Sequence, residues 1–126
     1  MKPEWENAAT DGDSSALAAQ LASGAPVDAL DRHGQSALML AAVRGHLAAV
    51  RVLVEAGADL DRTAKYGLSA LMLAVVNRHE PVARLLAAAG ADLSVRGSGP
   101  PGFSGKTAAQ LAREAGLDVL ASALSS

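Results

Sequence analysis

A step of 33 residues governs this chain. Moving forward by that step puts Gly34 on Gly67, Leu38 on Leu71, Met39 on Met72, His46 on His79 and Gly57-Ala58-Asp59-Leu60 on Gly90-Ala91-Asp92-Leu93. Moving back by it puts Ala41-Ala42 on Ala8-Ala9, Gly45 on Gly12 and Gly57 on Gly24. A fixed period of this length marks a solenoid, in which each repeat buries its apolar face against the next. Within one period, apolar residues at helical spacing, Leu38/Leu40/Ala41 and Val50/Leu53/Val54, stand on either side of Gly45 and stop at Gly57. That pattern predicts a helix, a tight turn, a second helix and a glycine stop in a left-handed conformation. Helices of about ten residues do not hold in water alone, so each unit requires its neighbours.

The run Gly34-Gln35-Ser36-Ala37-Leu38-Met39-Leu40-Ala41-Ala42 resembles the G-x-T-P-L-H-x-A-A signature of the ankyrin repeat, and the resemblance extends over about residues 4 to 124. It implies an all-α ankyrin-repeat solenoid: four stacked helix–turn–helix repeats with β-hairpin-like loops, whose inner helices and hairpin tips line a concave face. The whole chain, 1–126, is then one domain: an N-terminal capping repeat at 4–30, full repeats at 31–63 and 64–96, and a C-terminal capping repeat with a loop insertion at 97–126. Met39 and Met72 stand where relatives carry a His that ties neighbouring hairpins, and Ala37, Ala70 and Ala108 stand where they carry Pro. Flexible apolar packing replaces a polar tie at the methionines.

Individual departures from the period carry their own expectations. Trp5 falls in register with Leu38, at a core position of the first repeat, while Ser14 and Gln20 replace Leu47 and Leu53 on what becomes a solvated end. Ala64 replaces Asp31, which removes a short carboxylate from the third hairpin. Arg78 replaces Gly45 between the helices, and Asn77 beside it is expected to take over the positive φ that a glycine tolerates. Pro81 fits the first turn of a helix. One further period from Gly67 falls at position 100, but the matching Gly105-Lys106-Thr107 arrives five residues late. Gly97-Ser98-Gly99-Pro100-Pro101-Gly102-Phe103-Ser104 is therefore a long hairpin loop, because Gly and Pro at this density exclude helix and strand.

Composition bounds the function. Alanine supplies 29 residues against one Trp, one Tyr and one Phe, which suits helices stacked at close distance. A net charge of −2 and a pI near 5.8 argue against nucleic acid as a partner. There is no cysteine, hence no disulfide and no thiol chemistry. Met1-Lys2-Pro3-Glu4-Trp5-Glu6 is unlike a secretory signal, and the apolar run from Ala37 to Val43 is too short to cross a bilayer. A monomeric cytoplasmic protein, with no membrane partner, is expected.

Chemical sites find little support. Gly105-Lys106-Thr107 opens a helix as a phosphate loop does, but the glycine required five residues earlier is Pro100, which has no N–H to offer a phosphate. His33, His46 and His79 do not converge, since two of them occupy equivalent repeat positions, and a metal needs three or four ligands at one point. Those two read as structural residues near the helix turn. Asp11-Gly12-Asp13 and Asp59-Leu60-Asp61 lack the spacing of a calcium loop. Ser36, Ser69 and Thr107 recur just ahead of an apolar helix, which makes them N-caps rather than nucleophiles. No catalytic residue, metal or cofactor is expected, and the chain is not read as an enzyme.

What remains is a surface. Arg32-His33, Lys65-Tyr66 and Phe103-Ser104 precede the hairpin glycines, Gln35, Leu68 and Lys106 follow them, and Val43-Arg44 and Val76-Asn77 end the inner helices. Aromatics beside Arg and Lys are the usual composition of an interface hot spot. Ordinary solvated faces would account for the basic residues, and loop packing for Tyr66 and Phe103. As a partner-binding strip, these residues point to non-catalytic protein–protein recognition, with an acidic patch on the partner. The alternative is a structural or regulatory subunit folded against one permanent enzyme partner.

Overall fold

In a computed structural model that describes residues 1–99 and 102–125, the helices come in pairs. They are α1 (Pro3–Asp11) and α2 (Ser14–Ala22), α3 (Ala37–Val43) and α4 (Leu47–Glu55), α5 (Ala70–Val76) and α6 (Glu80–Ala88), α7 (Ala108–Glu114) and α8 (Asp118–Ala123). Pro100, Pro101 and Ser126 lie outside the described residues, and with them the position on which the phosphate-loop argument turned. Helices α1, α3, α5 and α7 pack side by side as an inner row, and α2, α4 and α6 as an outer one, while α8 packs on α7.

The start of each inner helix is fixed locally from α3 onward. The side-chain oxygens of Ser36, Ser69 and Thr107 accept from the backbone N–H of Met39, Met72 and Gln110 at 3.3 Å. Thr107 N–H donates to Gln110 Oε1 at 2.8 Å, closing a capping box. These are caps, as the sequence indicated. The faces behind them are alanine-rich and dry: Ala37, Ala41, Ala42, Ala49, Ala74, Ala83 and Ala112 are fully buried, with Leu38, Leu53, Leu71 and Leu86 filling the larger gaps. Met39 and Met72 are both buried to 1% exposure, so these two side chains belong to the apolar core. Trp5 is buried too, at 3% exposure, although its Nε1–H finds no acceptor. The large apolar area of the ring offsets that unmet donor.

Neighbouring pairs are joined by a repeated polar contact. His46 Nε2–H donates to the carbonyl of Thr10, and His79 Nε2–H to that of Val43, both at 2.9 Å. Each ring lies across the glycine between the helices of the preceding pair. A Cβ on Gly12 would come within 2.5 Å of the His46 ring, and one on Gly45 within 2.5 Å of the His79 ring. Nothing larger than hydrogen fits there. In the next pair the histidine position is held by Leu117, and the glycine position by Arg78.

Arg78 corrects one expectation. The positive φ belongs to Arg78 itself, at 63°, while Asn77 has φ −97°. The residue N-terminal to it is still finishing the helix, and the Arg78 N–H must reach the carbonyl of Val75 at 3.0 Å, so the left-handed step cannot move back by one. Its side chain compensates, since Arg78 Nη1 donates to the carbonyl of Ala115 at 2.6 Å. The junction between the third and fourth pairs thus has its polar tie, running in the opposite direction.

Loops after the outer helices are stitched by aspartates. Asp28 Oδ1 accepts from Asp59 N–H at 2.8 Å, and Asp61 Oδ1 from Asp92 N–H at 2.7 Å. Ser94 donates its hydroxyl and its N–H to Asp92, and these bonds hold the Asp92 carboxyl below the ordinary range. Gly57 and Gly90 end α4 and α6 with φ of 85° and 99°, the left-handed conformation expected of them.

Two stability experiments follow from this packing. Gly45 and Gly57 share a positive φ, but only Gly45 lies under a histidine ring. Gly57→Ala should cost about 1–2 kcal/mol of backbone strain, and Gly45→Ala should cost at least about 1 kcal/mol more from overpacking. Chemical denaturation measures both, and equal losses would show that the ring gives way freely. Deleting residues from 97 onward should expose Leu71 and Val75 of α5, which α7 covers. The truncated chain should aggregate or unfold at distinctly lower denaturant than the full one, as seen by size exclusion and circular dichroism.

Candidate functional site

The hairpin tips are the least uniform part of the stack. The tip before α3 is tied by one carboxylate. Asp31 Oδ1 accepts from the N–H groups of His33 and Gln35, both at 2.8 Å, and Asp31 N–H reaches the Gln35 carbonyl at 2.9 Å. A single bridge, Leu30 to Ser36, closes the neck. Arg32 and His33 are held outward and exposed on this rigid turn.

Before α5 the same turn is built without that carboxylate. Ala64 has no side-chain acceptor, and Lys65–Gly67 form a short 3-10 turn in which Gly67 N–H bonds to the Ala64 carbonyl at 3.0 Å. Tyr66 sits there at φ 64°, a conformation that strains any side chain with a Cβ by about 1–3 kcal/mol. That twist presents the Tyr66 carbonyl to Ser98, whose N–H donates to it at 2.7 Å. The third hairpin keeps its own backbone bonds, including Ala64 N–H to the Leu68 carbonyl at 3.2 Å, and is tied to the inserted loop as well.

The insertion completes the arrangement. Gly97 N–H bonds to the Lys106 carbonyl and Gly105 N–H to the Gly97 carbonyl, each at 2.9 Å, so the neck of the loop is shut. Arg96 Nη1 donates to the Gly105 carbonyl at 2.6 Å and braces the same neck. Phe103 is thereby brought against Tyr66, with ring centroids 5.5 Å apart and planes tilted by 47°. Lys65 Nζ lies 5.0 Å from the centre of the Tyr66 ring. Lys65, Tyr66 and Phe103 form one cluster across two hairpins. Both aromatics are half-buried, so the loop-packing reading of them holds in part: each is the other's support.

The remaining strip residues divide by exposure. Arg32, His33, Arg44, Lys65, Asn77 and Ser104 are exposed, while Gln35, Val43, Val76 and Lys106 are half-buried. Leu68 does not belong with them. It is 4% exposed and part of the core, because the residue after the hairpin glycine turns inward where the chain enters the cap of α5. Lys106 carries its own counter-ion, Glu114, at 2.8 Å, which reduces the positive charge it shows to a partner. Two contributors were missed from sequence: Ser98, whose role is a backbone bond, and the strained φ of Tyr66. The removal of Asp31's counterpart at Ala64 was the available signal that this turn is built differently.

Among the described residues, no group of three or more His, Asp or Glu side chains is placed to hold a metal ion, and no helix is long and apolar enough to cross a membrane. A concavity of about 860 Å³ at the N-terminal end, lined by Trp5, Ala19, Ala25 and Pro26 among others, is the open face of the first helix pair.

The chain matches the family described as Ankyrin repeats (3 copies) over residues 6–97. No curated protein matches it. The match takes in the first three helix pairs and ends where the inserted loop begins. Ankyrin repeats are generally protein–protein interaction modules and typically non-catalytic. That match spans most of the chain, and the eight short helices of the described residues are paired and stacked: the chain belongs to the ankyrin repeat family.

Proposed function

We propose that this protein recognises another protein without catalysis, through the face formed by its hairpin tips and the C-terminal ends of its inner helices. The observation that carries the reading is the Lys65–Tyr66–Phe103 cluster, assembled at the cost of a left-handed Tyr66 and a five-residue insertion. Strained backbone persists only where the surroundings hold it, and it gathers at binding sites. Aromatic rings flanked by a cation, on a rigid frame, are the composition of an interface hot spot. Residues 97–126 act as the C-terminal cap of a monomeric, cytoplasmic domain, and the basic tips suit an acidic patch on the partner.

The test is a pair of truncations. Tyr66→Ala and Phe103→Ala should each weaken capture of the partner by at least about 1 kcal/mol, as hot-spot truncations do. Because the rings support one another, each should also lower stability by about 0.5–1.5 kcal/mol, the worth of an aromatic pair. Arg84→Ala, on the outer row and paired only with Glu80 at 3.9 Å, should change neither. Isothermal titration and thermal melts separate the two effects, and normal binding by both aromatic variants would remove this face from the interface.

A further inference from the structure

Charge is sorted along each hairpin, and the sorting identifies the partner more narrowly. Resting on the reading above, we propose that the face receives an extended acidic segment, with two carboxylates about three residues apart and an apolar side chain beyond them.

The bases of the hairpins are acidic, but their carboxylates are engaged. Asp28, Asp59, Asp61 and Asp92 each use one oxygen to hold a backbone N–H. At the tips, Asp31 is taken up by two backbone donors. Of the cations, Arg78 and Arg96 hold backbone carbonyls, and Lys106 and Arg84 have glutamate partners. Arg32, Arg44 and Lys65 make no hydrogen bond or ion pair among the described residues, apart from the stacking of Lys65 on Tyr66. By formal charge Arg32, Arg44 and Lys65 outnumber Asp31, so the tips are positive although the chain as a whole is at −2. A complementary partner must supply carboxylates.

Register supplies the spacing. Arg32 and Lys65 stand at equivalent positions of successive repeats, and Phe103 occupies the corresponding place in the fourth. Helices of neighbouring pairs pack about 8–10 Å apart, and a chain extended as polyproline II advances about 3.1 Å per residue with about three residues to the turn. One repeat is then crossed in about three residues. A segment running along the tips places a carboxylate at Arg32, a second at Lys65 three residues on, and an apolar side chain on the Tyr66–Phe103 pair within the next three. In that conformation side chains three residues apart face the same side, which a β-strand, alternating at every residue, does not allow.

Synthetic twelve-residue peptides test the inference on the full chain. One set carries two Glu three residues apart followed by Leu, in both chain directions. A second set has the Glu residues adjacent, and a third has Lys in their place. The first set should bind at low salt, weaken at least about fivefold between 50 and 300 mM NaCl as screening grows, and lose about tenfold on Lys65→Glu. Arg84→Glu should have no effect. Equal binding of the adjacent-Glu set, or binding of the Lys set, overturns the proposal. So does failure of all three sets to bind. In that case capture of a folded partner that still depends on Tyr66 and Phe103 leaves protein recognition through this face standing, whereas independence from both residues removes it as well.

Discussion

Everything in this molecule depends on one helix pair closing over the next. Helices of six to nine residues are below the length that holds in water. Their alanine faces gain stability only when another alanine face excludes water from them. Close approach is the condition, and the histidine–glycine contact shows how tightly it is met. A ring from one pair covers the bare Cα of the pair before it while Nε2–H takes up a carbonyl that the turn would otherwise leave unpaired. Apolar packing and hydrogen bonding act at the same place, so neither can be changed alone.

That coupling explains why Arg78 and Leu117 occur together. Once the histidine becomes leucine, the glycine beneath it is no longer under a ring, and a side chain becomes sterically possible. The carbonyl tie is lost at the same step, and the arginine supplies another from the opposite side. The left-handed φ at Arg78 remains as the residual cost of the exchange, about 1–2 kcal/mol. The fourth pair is consequently held by different means from the first three. It also lies beyond the stretch matched as ankyrin repeats.

The period, the helix starts at Ser36, Ser69 and Thr107, the glycine stops and the position of the insertion were all legible in the sequence, because each follows from local chemistry repeated at a fixed interval. The exposure of Arg32 and His33 was legible as well, since position before the hairpin glycine fixes their outward placement. What escaped were effects of one repeat on another. Asn77 has the better intrinsic tolerance of positive φ, yet Arg78 takes it, because the hydrogen bond to Val75 fixes the position of the turn. Leu68 looked like Gln35 by register, but an apolar side chain at that place turns into the core. The Tyr66–Phe103 contact depends on a loop that follows no period, and periodicity has nothing to say about where such a loop goes.

Overall charge is the least informative number for this fold, and the reason is structural. A solenoid separates its surfaces into rows, and the backbone of each row makes different demands. Where loops run between outer helices and hairpins, exposed N–H groups call for aspartate oxygens: Asp28 and Asp61 answer those of the next repeat, and Asp59 and Asp92 those two residues on in their own loop. At the tips the turn is already satisfied, by Asp31 in one repeat and by the Ser98 bond in another, so the side chains that project there are released from structural duty. At these loops acidic residues stand where the fold requires acceptors, and they supply four of the thirteen carboxylates behind the small negative total. At the tips, the charges of Arg32, Arg44 and Lys65 meet no partner among the described residues, and they have the opposite sign to the total.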